Sequence, residues 1–355
     1  MADLSEKERL FRALSGQECD RPPVIAPGGM MSPLTARLLE ASGLDGEMAR
    51  AGPDTMALAT VTAREAVGLE NLGVPFCLTV EAEALGARVS PGTRSVEPLV
   101  VRPALPSAEH LASLRLPDPL REPRMSAVLE AIRILKVRYP DVPVVGNLSG
   151  PVTLATAIVP TSQLLRLLVR NESLACDALR LATGTIIGFG EAMLDAGADA
   201  LVVGDPTATG EIIGPATFKK LVLPQYQAIF SAFRARGAKS VLHICGDVTA
   251  VLPSIRSSGA DAFSMDSMMS IRKARDQLGP MPLMGNTSTL LLARGTPDRV
   301  AAAVRRALAE EVEVYAPSCG LDRSTPLENL RTMCEAVKSW DGDGQADLEA
   351  SHERR

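Results

Sequence analysis

The sequence predicts a (β/α)8 barrel, also called a TIM barrel, on the basis of two observations. Short apolar or β-branched runs recur along the chain, and each ends in Gly, Asn, Asp or Pro before a helical stretch begins. Strands that alternate with helices indicate parallel βαβ units, and eight such units make a barrel. In addition, 46% of the 355 residues are hydrophobic and 22% are charged, which is enough apolar material for one large core.

The eight predicted strands follow one another at uneven intervals: 22–28, 71–77, 142–150, 198–206, 239–246, 260–267, 281–288 and 313–320. Amphipathic stretches between most of them, such as 162–197, predict the intervening helices. Two helix starts support this assignment, because Thr296-Pro297 and Thr325-Pro326 each place Pro at the first helical position after a capping Thr.

One domain is predicted over residues 1–340, since neither a repeat nor a linker divides the chain. The long interval between the second and third strands contains a Pro- and Arg-rich stretch, which predicts a β-containing insertion at the barrel rim near 86–123. The last residues, 341–355, are polar and lack periodicity, so we expect a disordered tail there.

Composition argues against several classes of partner. The net charge is −5, with three Tyr, seven Phe and one Trp, whereas nucleic-acid binding needs basic surfaces and often aromatic stacking. No apolar run approaches the roughly 20 residues that span a bilayer. The N-terminus predicts a charged amphipathic helix instead of a signal peptide. We therefore expect a cytoplasmic protein that binds neither nucleic acid nor a membrane.

Three residues stand out as potential metal ligands. In a large chain without a secretion signal, a cysteine is more often a buried thiol, a metal ligand or a catalytic group than half of a disulfide. His243 and Cys245 lie two residues apart on a predicted strand, so their side chains point to the same face. Cys319 ends the last predicted strand and opens onto the same barrel mouth, where barrel active sites are built.

Zinc suits this set of ligands, because it accepts one imidazole and two thiolates and keeps a fourth position for substrate. Spacing alone leaves a second interpretation open, a core histidine beside two inert thiols. Zinc with two thiolates and a neutral histidine is formally neutral, so an incoming thiol can lose its proton on binding. Such a site favours sulfur alkylation over hydrolysis.

The opening segment RLFRALSGQECDRPPVIAPGGMM resembles the uroporphyrinogen decarboxylase superfamily, whose members begin with a RAL-G-DRPPV segment and fold as (β/α)8 barrels. The decarboxylases continue with an arginine-containing motif that holds the carboxylates of the porphyrinogen. This chain has residues 26–31, APGGMM, at that place and lacks the arginines. The departure argues against decarboxylation of a tetrapyrrole.

A second resemblance is to the corrinoid-dependent methyltransferase branch of that superfamily, typified by methylcobamide:coenzyme M methyltransferases. The similar segments are PGGMM, GVPFCLTVEAEALGA, GDPTATGEIIGP, LHICGD, MGNTS and APSCGLDRSTPLENLRTM. The HICG and PSCGL segments carry the family's zinc ligands, which correspond to His243, Cys245 and Cys319. The resemblance implies methyl transfer from a methylated corrinoid, presented by a separate corrinoid-binding protein, to a zinc-activated thiol such as coenzyme M.

Other residues at predicted strand ends have two interpretations each. Asp205 either orients the His243 ring or contacts the corrinoid, or else it caps a helix. Asn147, Ser149 and Asn286 either line the pocket or serve as turn residues.

Glycine and carboxylate pairs near the predicted mouth are also open to two interpretations. Gly28 and Gly29, with the two Met residues that follow, either form a small apolar floor for a flat macrocycle or make an ordinary turn. Glu81 and Glu83 are either acid–base groups or part of a solvated rim.

Four functions remain open at this point. The first is methyl transfer from the corrinoid to a thiol, and the second is the opposite task, loading a methyl group from a small donor onto the corrinoid. Tetrahydrofolate is conceivable as an acceptor. The third is uroporphyrinogen decarboxylation, and the fourth is a protein that binds zinc or a corrinoid without turnover.

Overall fold

A computed structural model describes residues 3–341, and a parallel β-sheet organises it. The seven strands of this sheet are neighbours in the order β1-β4-β5-β6-β7-β8-β9, and every pair is parallel. They are β1 Leu72–Val74, β4 Val144–Ser149, β5 Ala200–Gly204, β6 Lys239–Ile244, β7 Ala262–Met265, β8 Leu283–Thr287 and β9 Val314–Pro317. The predicted α/β class with parallel strands is therefore confirmed.

Helices separate the strands along the chain. They are α1 Glu6–Ala13, α2 Ala36–Ala41, α3 Met48–Ala51, α4 Pro53–Val67, α5 Val80–Ala84, α6 Pro123–Arg138, α7 Pro151–Ile158, α8 Thr161–Arg170, α9 Glu172–Asp195, α10 Gly210–Ile213, α11 Pro215–Thr217, α12 Leu223–Ala235, α13 Leu252–Arg256, α14 Ile271–Leu278, α15 Thr289–Arg294, α16 Pro297–Ala309 and α17 Leu327–Lys338. A π-helical turn, Phe218–Val222, leads into α12. The predicted Pro start is right for α16, whereas α17 begins one residue after Pro326.

The first predicted strand, 22–28, is wrong as a strand. Among the described residues it contributes one parallel bridge to the sheet, between Val24 and Tyr315 of β9. On its other side the side chains of Glu70 and Asn71 accept hydrogen bonds from this segment's backbone. The segment contains three prolines, which cannot donate to a ladder, so side chains replace the regular backbone pairing.

Alternate residues of the strands form an inner apolar cluster. Because successive side chains of a strand point to opposite faces, every second residue faces this cluster and its neighbours pack against the surrounding helices. Helix α1 also contributes to the inner cluster. Its members include Leu10, Leu14, Ile25, Val145, Val202, Val241, Ala262, Met284 and Val314.

The predicted insertion contains a two-stranded antiparallel sheet, β2 Arg88–Ser90 and β3 Leu99–Arg102. Ala104 and Leu105, just after β3, donate backbone hydrogen bonds to the end of α7. The segment is therefore attached to α7, the helix that follows β4. The predicted tail falls almost entirely on 342–355, outside the described residues.

Helices α7 and α8 follow β4 directly. Most of α7 is buried, including Val152, Leu154 and Ile158. Among residues 3–341, no single helix is long and apolar enough to cross a membrane. Only α7 and α8 taken together reach that length and composition, and the two helices are bent by 114°.

Candidate metal centre

Strand β6 positions two of the three predicted ligands. Val241 faces the inner apolar cluster, so His243 and then Cys245 project in the same direction at successive steps towards the end of the strand. Cys319 follows β9 at the same edge of the sheet, because parallel strands all end on one side. The strand alternation thus brings together residues from two strands that are not neighbours.

The three side chains are in mutual contact. His243 Nε2 lies 3.2 Å from Cys245 Sγ, and the two sulfurs lie 3.1 Å apart. His243 is fully buried, whereas both cysteines are partly exposed. Within residues 3–341 this is the one group of three or more His, Cys, Asp or Glu side chains whose ligand atoms all lie within 4.8 Å of one another.

The two cysteines ionise as a coupled pair. A hydrogen bond from the Cys245 thiol lowers the pKa of Cys319, and His243 acts in the same direction. The same hydrogen bond, together with burial, raises the pKa of Cys245. The pair therefore holds one thiolate readily, beside a second sulfur and an imidazole nitrogen, which is the donor chemistry that zinc prefers.

Ser264 orients the His243 ring, and sequence reasoning missed it. The β6–β7 register places the two residues side by side, and His243 Nδ1 lies 3.0 Å from Ser264 Oγ. Ser264 donates its own proton to Met31 Sδ at 3.4 Å, so it accepts one from Nδ1. In a neutral imidazole this assignment turns the Nε2 lone pair towards the cysteines, as a metal ligand requires. The neighbouring strand's register is the signal that would have identified Ser264.

Asp205 does not orient the histidine, which corrects that prediction. Its buried carboxylate accepts hydrogen bonds from the backbone N–H groups of Val152 and Thr153 at the start of α7, and from the Thr153 hydroxyl. Tyr226 Oη donates a fourth at 2.8 Å. Burial raises the pKa of Asp205, and these donors counteract the rise. Asp205 is thus a helix cap for α7, because the orphan N–H groups there attract a carboxylate.

Asn147 supports the glycine turn and does not open onto a pocket. It is 2% exposed, and its side-chain amide donates to the Pro27 carbonyl. Gly28 and Gly29 have φ values of +103° and +55°, and a Cβ atom on Gly29 would lie 2.8 Å from Asn147 Cβ. Both glycines are therefore required by backbone conformation and by close approach to Asn147.

Asn286 contacts the loop after β7, which carries a carboxylate, Asp266, that sequence reasoning missed. Its side-chain amide is 3.4 Å from the backbone oxygen of Asp266. The Asp266 carboxylate accepts a hydrogen bond from the backbone of Gly246, the residue after Cys245. Asp266 follows β7 just as Cys245 follows β6, which is why the two loops meet.

Glu81 and Glu83 lie on helix α5, and their side chains have different surroundings. Glu81 is 1% exposed and accepts a hydrogen bond from the Ser149 backbone N–H at 2.7 Å. Burial raises the pKa of Glu81. Glu83 is half-exposed and pairs with Arg124. Neither interpretation, an acid–base pair or a solvated rim, describes the two residues together.

Comparison with known proteins identifies the family. The family model described as "Uroporphyrinogen decarboxylase (URO-D)" matches residues 5–340. The chain belongs to the uroporphyrinogen decarboxylase family. It is also 33% identical over 343 residues to a methylcobamide:CoM methyltransferase of Methanosarcina barkeri, covering 95% of this chain and 98% of that protein.

A solved structure and a decarboxylase are also similar to this chain. A solved methyltransferase structure from Methanosarcina mazei superposes with a TM-score of 0.89 at 32% identity, covering 94% of this chain and 98% of that one. A uroporphyrinogen decarboxylase of Thermus thermophilus is 27% identical over 343 residues, with 93% and 97% covered. The resemblance to the methyltransferase branch of the family is therefore confirmed.

This family member has a cavity of about 290 Å³ beside the metal centre. It begins at Gly320, the residue after Cys319, and extends to Glu97 and Pro98 in the connection between β2 and β3. Gly29 and Met30 form part of its wall. A second cavity of about 350 Å³ shares Pro98 with it and is lined by Arg50 and Arg124, among others.

Proposed function

We propose that this protein is a zinc-dependent methyltransferase that moves a methyl group from a methylated corrinoid protein to a thiol. The observation that carries the proposal is the contact between His243, Cys245 and Cys319 in a chain similar to methylcobamide:CoM methyltransferases. Coenzyme M is the first acceptor to test, because the relative's name includes it.

The donor atoms of the three residues are of the kinds that zinc binds. Two sulfurs and an imidazole nitrogen converge, and a neutral imidazole that donates from Nδ1 to Ser264 presents its Nε2 lone pair to a metal. Three protein ligands leave one position for a substrate, as in catalytic zinc sites. Zinc bound here would favour the thiolate form of an acceptor thiol at neutral pH.

The chain's own groups would prepare the acceptor. Cys245 and Cys319 are partly exposed, so a small thiol can reach them, whereas the buried His243 is held in orientation by Ser264. In the proposed reaction the acceptor thiol would release its proton to solvent on binding. Its sulfur then forms a bond to the methyl carbon as the carbon–cobalt bond breaks, and the electron pair of that bond stays with cobalt. No general acid is needed, because the leaving group takes up no proton.

The surroundings suit a large planar donor. We propose that Gly29 and Asn286 face the corrinoid, with Gly28 and Asn147 holding the turn in shape. We also propose that the segment 22–28 completes a (β/α)8 barrel between β9 and β1, as its bridge to Tyr315 suggests. Residues 1–340 would then form a single domain with a rim insertion near 86–123.

The decisive experiment combines metal content with turnover. We expect about one zinc per chain, and demethylation of methylcobalamin when coenzyme M is supplied. Cys245→Ala should abolish both while the circular dichroism spectrum stays that of the wild type. Full activity after complete removal of the metal would contradict the proposal.

The other candidate functions differ in what they consume. A methyl-loading enzyme would methylate Co(I) cobalamin from a small donor, which the same preparation can be tested for. A decarboxylase would need arginines at 26–31, where this chain has APGGMM. A non-catalytic binding protein would hold zinc but leave methylcobalamin unchanged with every thiol tried.

A further inference from the structure

Two buried arginines pair with one carboxylate, Glu97, which lines the cavity. Arg50 belongs to α3, Arg323 to the loop after β9, and Glu97 to the connection between β2 and β3. The arginine side chains are 4% and 9% exposed, whereas Glu97 is 46% exposed. Three segments far apart in sequence therefore place two buried cations on a half-exposed anion.

The contacts leave both guanidinium groups incompletely bonded. Arg50 Nη2 lies 3.0 Å from Glu97 Oε2 and donates a hydrogen bond to it. Arg323 donates through Nη1 to the Leu34 carbonyl at 2.7 Å, and its Nη2 makes an ion pair with Glu97 Oε1 without an aligned hydrogen bond. The Nε groups of both arginines are buried without a hydrogen-bond partner.

A purely structural role explains this arrangement poorly. An arginine pair that served only to anchor the β2–β3 connection would be expected to satisfy its donors, because an unpaired buried polar group is costly. Burial lowers the pKa of Arg323; Glu97 opposes this shift, and Arg50 reinforces it. Glu97 thus compensates the burial of Arg323 only in part.

The position relative to the metal centre suggests an occupant. Gly320, the residue after Cys319, and Glu97, the partner of both arginines, line the same cavity of about 290 Å³, so a small molecule in it lies between the loop of Cys319 and the carboxylate that pairs with the arginines. Planar guanidinium groups bind carboxylates and similar anions through paired hydrogen bonds. Glu97 occupies the place that such an anion would take.

We propose that Arg50 and Arg323 bind the acidic group of the acceptor thiol, and that Glu97 holds their place until the acceptor arrives. The acceptor class is then a short thiol that ends in a sulfonate or carboxylate. This inference rests on the proposed function for the identity of the thiol end, but anion binding by the two arginines can be measured without any methyl transfer.

The first test is calorimetric titration with ethanesulfonate, which has the acid group and no thiol. We expect binding to the wild type, at least tenfold weaker binding to Arg323→Gln, and tighter binding to Glu97→Gln, which removes the competing carboxylate. Glu97 is half-exposed, so its variant tests the proposal even if Arg323→Gln does not fold. Equal affinity in the wild type and Glu97→Gln, or no binding to either, would overturn it.

The second test is acceptor preference with methylcobalamin as donor. The ratio of kcat/KM for 2-mercaptoethanesulfonate to that for 2-mercaptoethanol should exceed tenfold in the wild type, fall about tenfold or more in Arg50→Gln, and rise in Glu97→Gln. Arg121→Gln, which removes an arginine that is 86% exposed, is the matched control and should leave the ratio unchanged.

The outcomes separate the two proposals. A change in KM for methylcobalamin, with no change in the thiol ratio, would assign the arginines to an acidic or polar group of the corrinoid and overturn the inference. Ethanesulfonate binding that depends on Arg323 and Glu97, in a protein that methylates no thiol, would support the anion site and contradict the proposed function. Zinc-dependent methylation of both thiols with no preference would support the proposed function and contradict the anion site.

Discussion

The ends of β5 and β6 are neighbours in the sheet, but the residues that follow them, Asp205 and Cys245, differ in burial and in their partners. Asp205, after β5, is fully buried and accepts four hydrogen bonds from α7 and Tyr226. Cys245, after β6, is partly exposed, and its sulfur contacts only two other potential metal ligands, His243 and Cys319. In the sequence, Cys245 was a predicted metal ligand, whereas Asp205 was open to a role in the site or as a helix cap.

The difference shows how a polar group whose hydrogen bonds are already made within the fold can be distinguished from one that can still bind a ligand. The donors around Asp205 come from a helix start and a tyrosine, so its charge is already used to stabilise the fold. The donor atoms of the metal centre face one another, an arrangement that gains most when a cation binds between them. Substitutions on the two sides should therefore separate loss of stability from loss of activity.

The largest effect is expected for Cys319→Ala. The variant removes one of three ligands, so zinc affinity should fall by more than the 10- to 100-fold typical of groups that only support a ligand. Methyl transfer should drop below detection, while the metal-free protein unfolds at the same urea concentration as metal-free wild type. Zinc content and methylcobalamin demethylation measure the first part. Retained activity would contradict the assignment of Cys319 as a zinc ligand.

Asp205→Ala should show the reverse pattern. Four donors would lose their acceptor in a buried site, so we expect the free energy of unfolding to fall by about 3 kcal/mol or more. Urea denaturation of the metal-free protein measures this. Zinc binding per folded chain should stay close to stoichiometric. A normal stability with lost zinc would mean that Asp205 belongs to the centre after all.

Ser264→Ala tests the hydrogen bond that orients His243. We expect zinc affinity to fall about 10- to 100-fold, the usual cost of losing a ligand's supporting partner. Competition with a chelator of known affinity measures it. Ser240→Ala removes another buried hydroxyl on β6, one that contacts Asp261 and not the centre, and it should leave zinc affinity unchanged. Equal losses in both variants would point to general destabilisation.

The smallest effect concerns a carboxylate whose main partner is charged. A hydrogen bond from Arg9 holds the pKa of Asp20 well below its usual range. A lowered folded pKa stabilises the protein above the unfolded value near 3.8, and this contribution is lost as the pH falls below that value. Asp20→Asn should therefore cost about 1.5 kcal/mol at pH 7. The difference in unfolding free energy between the variant and the wild type should shrink as the pH is lowered through 4, which urea denaturation measures. A difference that does not change with pH would exclude ionisation of Asp20 as the cause.

The sequence was informative wherever regular strand geometry applied. Two residues on one strand share a face, so the pairing of His243 with Cys245 could be derived, and Cys319 followed from the common edge of parallel strands. It was less informative for the segment 22–28, where prolines prevent a regular ladder, and for Asp205, whose role depends on the start of a different helix. Ser264 required the register between β6 and β7, which no local pattern encodes.

The sequence by itself determined the parallel α/β architecture, the β-containing segment between β1 and β4 and the candidate ligand set, because these depend on periodicity and on the chain order of strands and helices. Only the tertiary structure decided which polar residues are already satisfied and which remain available. It made Asp205 a helix cap, left the donors of Arg50 and Arg323 incompletely bonded, and placed Glu97 between them. These properties depend on which distant segments meet and on how much water is excluded there, and neither is a property of any one stretch of sequence.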